Sequence, residues 1–282
     1  MRIVSGSSSL MLSSRLSEIT KIQMAHREIK RFSDGECYVR LHEKLDGEDI
    51  VLIQNTYPDS NIIEYFLLVD AIRQYNINSL TTVIPYFGYG RQDKRFNEGE
   101  PISAKVFAEH LSDNVDRVIT INLHNPEVIN WFKVPAIDLK AEKVLAKYFE
   151  KFNPDIIVSP DKGSIERAKY LSELLNKPYI SLEKKRIDSD TVEIQAGNID
   201  VKDKVVAIID DMISTGGTIT TASTILKNSG ASKIVVGCVH GLFVANALNR
   251  IQRTVDVIFS TDTIENEKSV VSVAEEVASK IL

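Results

Sequence analysis

Two cysteines, Cys37 and Cys238, are all that the 282 residues contain. That is too few for a disulfide framework or a zinc cluster, and the reducing cytoplasm is the simplest setting. The chain has no apolar run of the ~18 residues that span a bilayer, so no membrane contact is expected. Its first residues, Met1-Arg-Ile-Val-Ser-Gly-Ser-Ser-Ser9, hold no signal-peptide core and read as a short strand with a polar turn. Positive charge is not in excess: the net charge is −5. That argues against a general nucleic-acid binder but allows a local basic pocket. No literal internal repeat is visible. What remains is ordinary for a globular protein, with 43% hydrophobic and 26% charged residues, and the length fits two domains.

Short apolar runs alternate with helical patterns. Strands are expected at residues 2–5, 49–54, 80–85, 117–122, 155–159, 205–209, 233–239 and 255–260. Helices are expected at 61–75, 102–111, 139–149, 165–175, 218–228 and 270–282. In the first of these helices Ile62, Tyr65, Phe66, Val69 and Ile72 follow helical spacing. The alternation predicts an α/β fold with parallel sheets covered by helices on both faces. A boundary is expected near residues 140–154, where a helix leads into Asn153-Pro154.

The most informative stretch is Val205-Val-Ala-Ile-Ile-Asp-Asp-Met-Ile-Ser-Thr-Gly-Gly-Thr218. A β-branched run of this length reads as a buried parallel strand. Ser214 to Thr218 can wrap backbone N–H groups around an anion at the start of the next helix. Asp210 and Asp211 would repel a phosphate and suit hydroxyls or a cation instead. The loop therefore fits a ligand with a phosphate at one end and a diol or bound cation at the other, such as ribose 5-phosphate. A Gly-rich turn alone is a weak signal, and strand-end acids are common. The full order of strand, acid pair, small residues and helix is much rarer.

This stretch resembles the phosphoribosyl-pyrophosphate loop of type I phosphoribosyltransferases. Phe32-Ser-Asp-Gly-Glu36, Pro85-Tyr-Phe-Gly-Tyr-Gly-Arg-Gln-Asp-Lys94, Pro101-Ile-Ser-Ala-Lys105, Asn122-Leu-His124, Ser159-Pro-Asp-Lys-Gly163 and His240-Gly-Leu-Phe243 extend the likeness over nearly the whole chain. Together they resemble the ribose-phosphate diphosphokinases (PRPP synthetases), closest to the shorter archaeal type. The resemblance implies two tandem domains of phosphoribosyltransferase type: residues 1–145, with 270–282 packing back on them, and residues 146–269. It implies transfer of a diphosphoryl group from ATP to the 1-hydroxyl of ribose 5-phosphate, giving AMP and phosphoribosyl pyrophosphate. It also implies Mg²⁺, two ions per site.

Residue roles follow from the same resemblance. Ser214, Thr215, Gly216, Gly217 and Thr218 hold the 5-phosphate, and Asp210 and Asp211 face the ribose hydroxyls. The family often has a third acid where this chain has Ser214. Lys184 and Arg186 match the cations of a mobile catalytic loop, although a charge run is by itself a solvated surface. His124 and Asp161 match metal ligands beyond the carboxyl ends of strands. A lone histidine is more often structural, and Mg²⁺ prefers oxygen, so water or a phosphate oxygen is an alternative intermediary for His124. Arg91, Gln92 and Asp93 match an ATP site: Arg91 pairs with phosphate oxygens, and Gln92 and Asp93 with adenine or neighbouring groups. Phe32, Asp34, Gly35 and Glu36 match an element supplied by a neighbouring subunit, with Phe32 on the adenine and the acids on its edge. A Phe32 buried in the core is the plain alternative. The shared site implies a homodimer or higher self-association. Glu98 and Glu100 stand where many relatives carry basic residues for regulatory phosphate or nucleotide.

Three other readings compete. A transferase that consumes phosphoribosyl pyrophosphate would share the 205–218 loop but needs neither Arg91-Gln-Asp93 nor a second domain of this length. A non-catalytic regulator on the same fold would not need Lys184, Arg186, His124 and Asp161. An RNA-binding regulator fits poorly with the acidic net charge.

Overall fold

The structure is a computed structural model. It describes the backbone of residues 1–186, 192–195 and 200–282, and side chains of residues 1–182 and 200–282. The chain divides into two compact units: residues 1–140 with 262–265 and 272–282, and residues 141–261 with 266–271.

In the first unit β1 (Arg2–Ser5) leads to α1 (Leu10–Thr20) and an antiparallel hairpin of β2 (Arg27–Arg31) and β3 (Cys37–Leu41). Then come β4 (Asp49–Ile53), α2 (Asp59–Arg73), β5 (Ser79–Ile84), α3 (Ser103–Leu111), β6 (Arg117–Ile121) and β7 (Ala136–Leu139). The sheet is parallel, in the order β1-β4-β5-β6-β7. Its strands read as continuous β-branched runs because helices cover both faces. Ile50, Leu52, Leu80, Ile84 and Val118 form its core with Tyr65 and Leu68 of α2. The buried face of α2 is Asn61, Ile62, Glu64, Tyr65, Leu68, Val69 and Ile72. Phe66, placed on that stripe by spacing, is 38% exposed instead.

The second unit opens with α4 (Glu142–Phe149), β8 (Ile156–Ser159), α5 (Ile165–Leu175) and β9 (Tyr179–Ser181). A two-stranded antiparallel hairpin follows, β10 (Glu183–Arg186) with β11 (Val192–Gln195). Then come β12 (Val205–Ile213), α6 (Gly217–Asn228), β13 (Lys233–Gly241), α7 (Ala247–Ile251), β14 (Val257–Thr261) and β15 (Ser269–Val271). The parallel sheet has the order β15-β14-β13-β12-β8-β9. From β8 the chain runs outward to β9, and from β12 it runs the other way to β15. The crevice beyond β8 and β12 is thus the topological switch point, where open α/β sheets bind ligands. A glycine seats α4 on this sheet. A Cβ on Gly237 of β13 would lie 2.7 Å from both Phe149 Cζ and Phe259 Cζ, so only glycine admits the aromatic cluster. The last helix, α8 (Ala274–Ile281), belongs to the first unit, where it packs on α1 and its Lys280 carbonyl accepts from Arg117 Nη1 at 2.9 Å.

Four expectations change. The strand expected at 205–209 continues to Ile213, because the ladder to β13 carries on past the acids, with Asp210 opposite Cys238 and Met212 opposite His240. Residues 270–271, expected to start a helix, belong to β15 (Ser269–Val271), as the β-branched Val270-Val271 suits a strand. Leu139 ends β7 rather than starting a helix. The charge run at 183–186 is a strand rather than a loop.

Candidate functional site

At the switch point of the second unit, β12 delivers Asp210 and Asp211, each 8% exposed. Asp210 Oδ1 accepts from Ser164 Oγ at 2.6 Å and from the Asp211 N–H at 2.9 Å. Asp211 Oδ1 accepts from the Met212 N–H at 2.8 Å. Burial, and then the charge of Asp211, push the Asp210 carboxyl up to about 7, against the pull of Ser164. Two close carboxylates in a dry site disfavour double ionisation, and the raised carboxyl here is that of Asp210.

Past these acids the chain turns into α6. Gly216 caps the helix in the left-handed region at φ 77°, and among the described residues no side-chain cap hydrogen bond is made to its N-terminus. A Cβ on Gly216 would lie 2.7 Å from Ile251 Cδ1, whereas one on Gly217 would meet nothing within 4 Å. Thr215 and Gly217 are exposed, and Ser214 and Thr218 half-buried. A helix start with unclaimed N–H groups and an open approach is an anion seat. Arg250 Nη2 fixes the loop from behind by donating to the Thr215 carbonyl at 2.6 Å.

Asp161 follows β8 on the other side of the crevice. Its carboxylate accepts from the Gly163 N–H at 3.0 Å, and Ser159 Oγ donates to its carbonyl at 2.6 Å. Asp161 is near enough to help raise the Asp210 carboxyl, which places three acids about one crevice. Lys184 and Arg186 lie on β10, and their side chains are outside the described residues.

The first unit gathers a second group. Tyr89 takes φ 64° and stacks on Phe107 at 4.3 Å. Gly90 then runs so close to the segment after β6 that a Cβ there would lie 4.0 Å from His124 Cβ. Asp93 Oδ2 accepts from Asn125 Nδ2 at 2.7 Å, tying the two loops together. Gln92 caps α3: its carbonyl accepts from the Ala104 N–H at 3.1 Å, and its Oε1 from Ser103 Oγ. Arg91 and His124 are exposed at this junction.

Phe32, Asp34, Gly35 and Glu36 form the tip of the β2–β3 hairpin. The Phe32 and Glu36 backbones pair at 2.9 Å, and Asp34 Oδ1 accepts from the Glu36 N–H at 3.0 Å. Phe32 is 50% exposed, which excludes the core alternative. Arg31, Asp34, Glu36, Ser60 and Leu67 line a groove at this tip, and none of Arg91, Gln92 or Asp93 does. The two motifs expected to bind ATP thus do not line that groove together.

Mg²⁺ is bound by one or two carboxylates together with substrate phosphates and water, seldom by an all-protein cage. Among the described residues no three His, Cys, Asp or Glu side chains converge to hold a metal. A single carboxylate beside an anion seat, as at Asp161, fits Mg²⁺ carried on a phosphate. Ser164, Arg167 and Glu142 also belong to this site and escape motif reading. The available signal is a charged Arg167 three residues after Ser164, on the α5 side that buries Ser164, Ala168 and Leu171.

The family model for the N-terminal domain of ribose phosphate pyrophosphokinase matches residues 1–114, and that for the phosphoribosyl transferase domain matches residues 130–277. Ribose-phosphate pyrophosphokinase of Thermoplasma acidophilum is 40% identical over 281 residues, covering 100% of this chain and 98% of the relative. The Pyrococcus furiosus protein of that name is 40% identical over 278 residues, covering 98% of each. The crystal structure of phosphoribosylpyrophosphate synthetase from Mycobacterium smegmatis superposes with a TM-score of 0.87 at 26% identity, over 99% of this chain and 97% of that one.

Proposed function

The chain belongs to the ribose-phosphate pyrophosphokinase family, and on that premise we propose how its residues divide the synthesis of phosphoribosyl pyrophosphate. The crevice of the second unit is the acceptor site. Ser214, Thr215, Gly216, Gly217 and Thr218 hold the 5-phosphate of ribose 5-phosphate on the N–H groups that open α6. Asp210 and Asp211 take the ribose hydroxyls. The observation that carries this reading is an uncapped helix start beside a buried acid pair at the switch point. Ser214, in the place of an acid, keeps a hydroxyl donor for the phosphate.

ATP is the donor. Arg91 grips its phosphates, and Asp93 with Gln92 orders the loop that presents Arg91. Phe32, Asp34, Gly35 and Glu36 of a second copy complete the adenine pocket, so the active form is a homodimer or larger. The exposed Phe32 at the hairpin tip supports this. Asp161 would hold Mg²⁺, and His124 would reach it directly or through water or a phosphate oxygen, with two ions per site. When bound, Mg²⁺ would supply charge neutralisation for the transferred group.

In the reaction the 1-hydroxyl oxygen attacks the β-phosphorus of ATP. The bond from that phosphorus to the oxygen bridging the α-phosphate breaks, AMP leaves, and the hydroxyl proton is released. The chain needs no nucleophile of its own, because such transfers depend on positioning and charge neutralisation. Lys184, a compact point charge, and Arg186, a planar fork, supply the cations for the transition state. Among the described residues no helix is long and apolar enough to cross a membrane. With both cysteines free, the enzyme is assigned to the cytoplasm.

Incubation with ATP, Mg²⁺ and ribose 5-phosphate is expected to give AMP and phosphoribosyl pyrophosphate in equal amounts. No AMP from that mixture, with nucleotide formed from a purine base and phosphoribosyl pyrophosphate, would instead support a salvage transferase.

A further inference from the structure

One half-buried cation in the second unit is used by neither the cradle nor the metal reading. The Arg167 side chain on α5 is 15% exposed and lies between two carboxylates. Its Nε is 3.5 Å from Glu142 Oε1, and its Nη2 is 3.8 Å from Asp211 Oδ2. Those acids are 6% and 11% exposed in their side chains. Exposed ion pairs count for little, but removing the cation from a buried group leaves uncompensated charge.

Neither end of this clamp is a loose loop. Glu142 begins α4, whose Phe149 packs against Phe259 at 4.8 Å over the glycine in β13. Ala168 and Leu171, fully buried, fix α5. The members of the acid pair are also held differently. Asp210 takes neutral donors, Ser164 Oγ and a backbone N–H. Asp211 faces a guanidinium. At 3.8 Å this is an electrostatic contact rather than a bidentate lock. It biases the charge and aim of the carboxylate without enclosing it.

We propose that Arg167, in ionic contact with Glu142, is a positioning residue for the acceptor: its guanidinium beside Asp211 favours the carboxylate form and aims it at the ribose hydroxyls. This rests on the acceptor reading of the cradle. A hydroxyl donating to a fixed carboxylate makes a charge-assisted hydrogen bond, stronger than one to a neutral acid. The residue acts on one substrate through one side chain, and a double-mutant cycle isolates such an effect.

The test is steady-state kinetics on the full chain for Arg167→Gln, Asp211→Asn and the double variant, with thermal midpoints measured alongside. Arg167→Gln is expected to raise KM for ribose 5-phosphate about tenfold, the size of one charge-assisted hydrogen bond, and to leave KM for ATP within about twofold. In the Asp211→Asn background the same change should add less than about twofold. An undiminished effect in that background, or equal rises in both KM values, overturns the proposal while leaving the acceptor site standing. If Asp211→Asn alone leaves KM for ribose 5-phosphate unchanged, the acceptor reading itself fails and the proposal with it. Should Arg167→Gln not fold, Arg167→Lys decides: a rise of about threefold confined to ribose 5-phosphate and absent with Asp211→Asn supports the clamp. Any other pattern in the lysine variant overturns it.

Discussion

In the first unit, the crevice beyond β1 and β4 is closed by its own side chains. Glu64, 1% exposed, reaches from α2 to accept from the Ser7 N–H at 2.6 Å, Ser7 Oγ at 2.7 Å and Gln54 Nε2 at 3.0 Å. Arg31 stands 3.7 Å from the same carboxylate. Ser8 Oγ donates to Gln54 Oε1 at 2.6 Å, and Asn55 Nδ2 to the Ser8 carbonyl at 3.2 Å. In the second unit, the crevice beyond β8 and β12 keeps its acids at the bottom and its helix N–H groups toward solvent. Both crevices follow a parallel strand pair with an antiparallel hairpin between them in the chain. The difference is chemical. A loop N–H that meets an internal carboxylate is spent on folding, and one left without a partner is available to a ligand's phosphate. One architecture can thus serve as a scaffold in one unit and as a sugar-phosphate site in the other.

The comparison can be broken most sharply at β10 of the second unit and at Glu64 of α2 in the first. Lys184→Ala or Arg186→Ala, on β10, should lower kcat by about 10²–10³-fold, with the dissociation constant of ribose 5-phosphate nearly unchanged. Equal loss in rate and binding would mean that these cations serve the ground state. Glu64→Ala should do the opposite. It strands the donors of Ser7 and Gln54, so a loss of about 2–4 kcal/mol is expected in denaturant titration, with KM for ribose 5-phosphate unaltered.

The acid pair marks the second unit by its pH dependence. Asp210 is held near 7 in the folded chain against 3.8 as its ordinary value, so the native state keeps a proton that the unfolded chain has lost. Its contribution to stability is full below about pH 4 and is lost as pH rises toward 7, at up to about 1.4 kcal/mol per pH unit. Asp210→Asn should therefore gain stability relative to the parent between pH 5 and 7 in the absence of substrates, as read by denaturant midpoints. A parallel profile for both proteins would contradict the raised Asp210 carboxyl. The smallest effects separate two neighbouring glycines. Gly216→Ala forces a Cβ onto Ile251 at positive φ and should cost about 1–3 kcal/mol. Gly217→Ala meets open space and should cost under about 0.5 kcal/mol while still weakening ribose 5-phosphate binding, because the added methyl group enters the phosphate approach.

The sheet strands were legible because buried parallel strands are near-continuous apolar runs, as in Val205 to Ile209. The 205–218 stretch stood out because its order of strand, acid pair, small residues and helix is rare. Less was readable where polar groups lie inside regular structure. The strand through Asp210 to Ile213 breaks its apolar signal at the acids, while its ladder continues. The β2–β3 hairpin is largely half-buried, and its sequences Arg27-Glu-Ile-Lys-Arg31 and Cys37-Tyr-Val-Arg-Leu41 carry little contrast between faces. Glu64 and Arg167 look like ordinary helix charges in one dimension. Only the fold shows that each lies on a buried side, with partners 57 and 44 residues away in Ser7 and Asp211. Glu64 closes a crevice that resembles the site, and Arg167 supports the one that remains open.

Titration calorimetry with ribose 5-phosphate against the parent chain, Asp211→Asn and Glu64→Gln tests the central claim most directly. The account predicts one site per chain, greatly weakened by Asp211→Asn and intact in Glu64→Gln. A second site per chain, or binding that survives Asp211→Asn and is lost with Glu64→Gln, would contradict it.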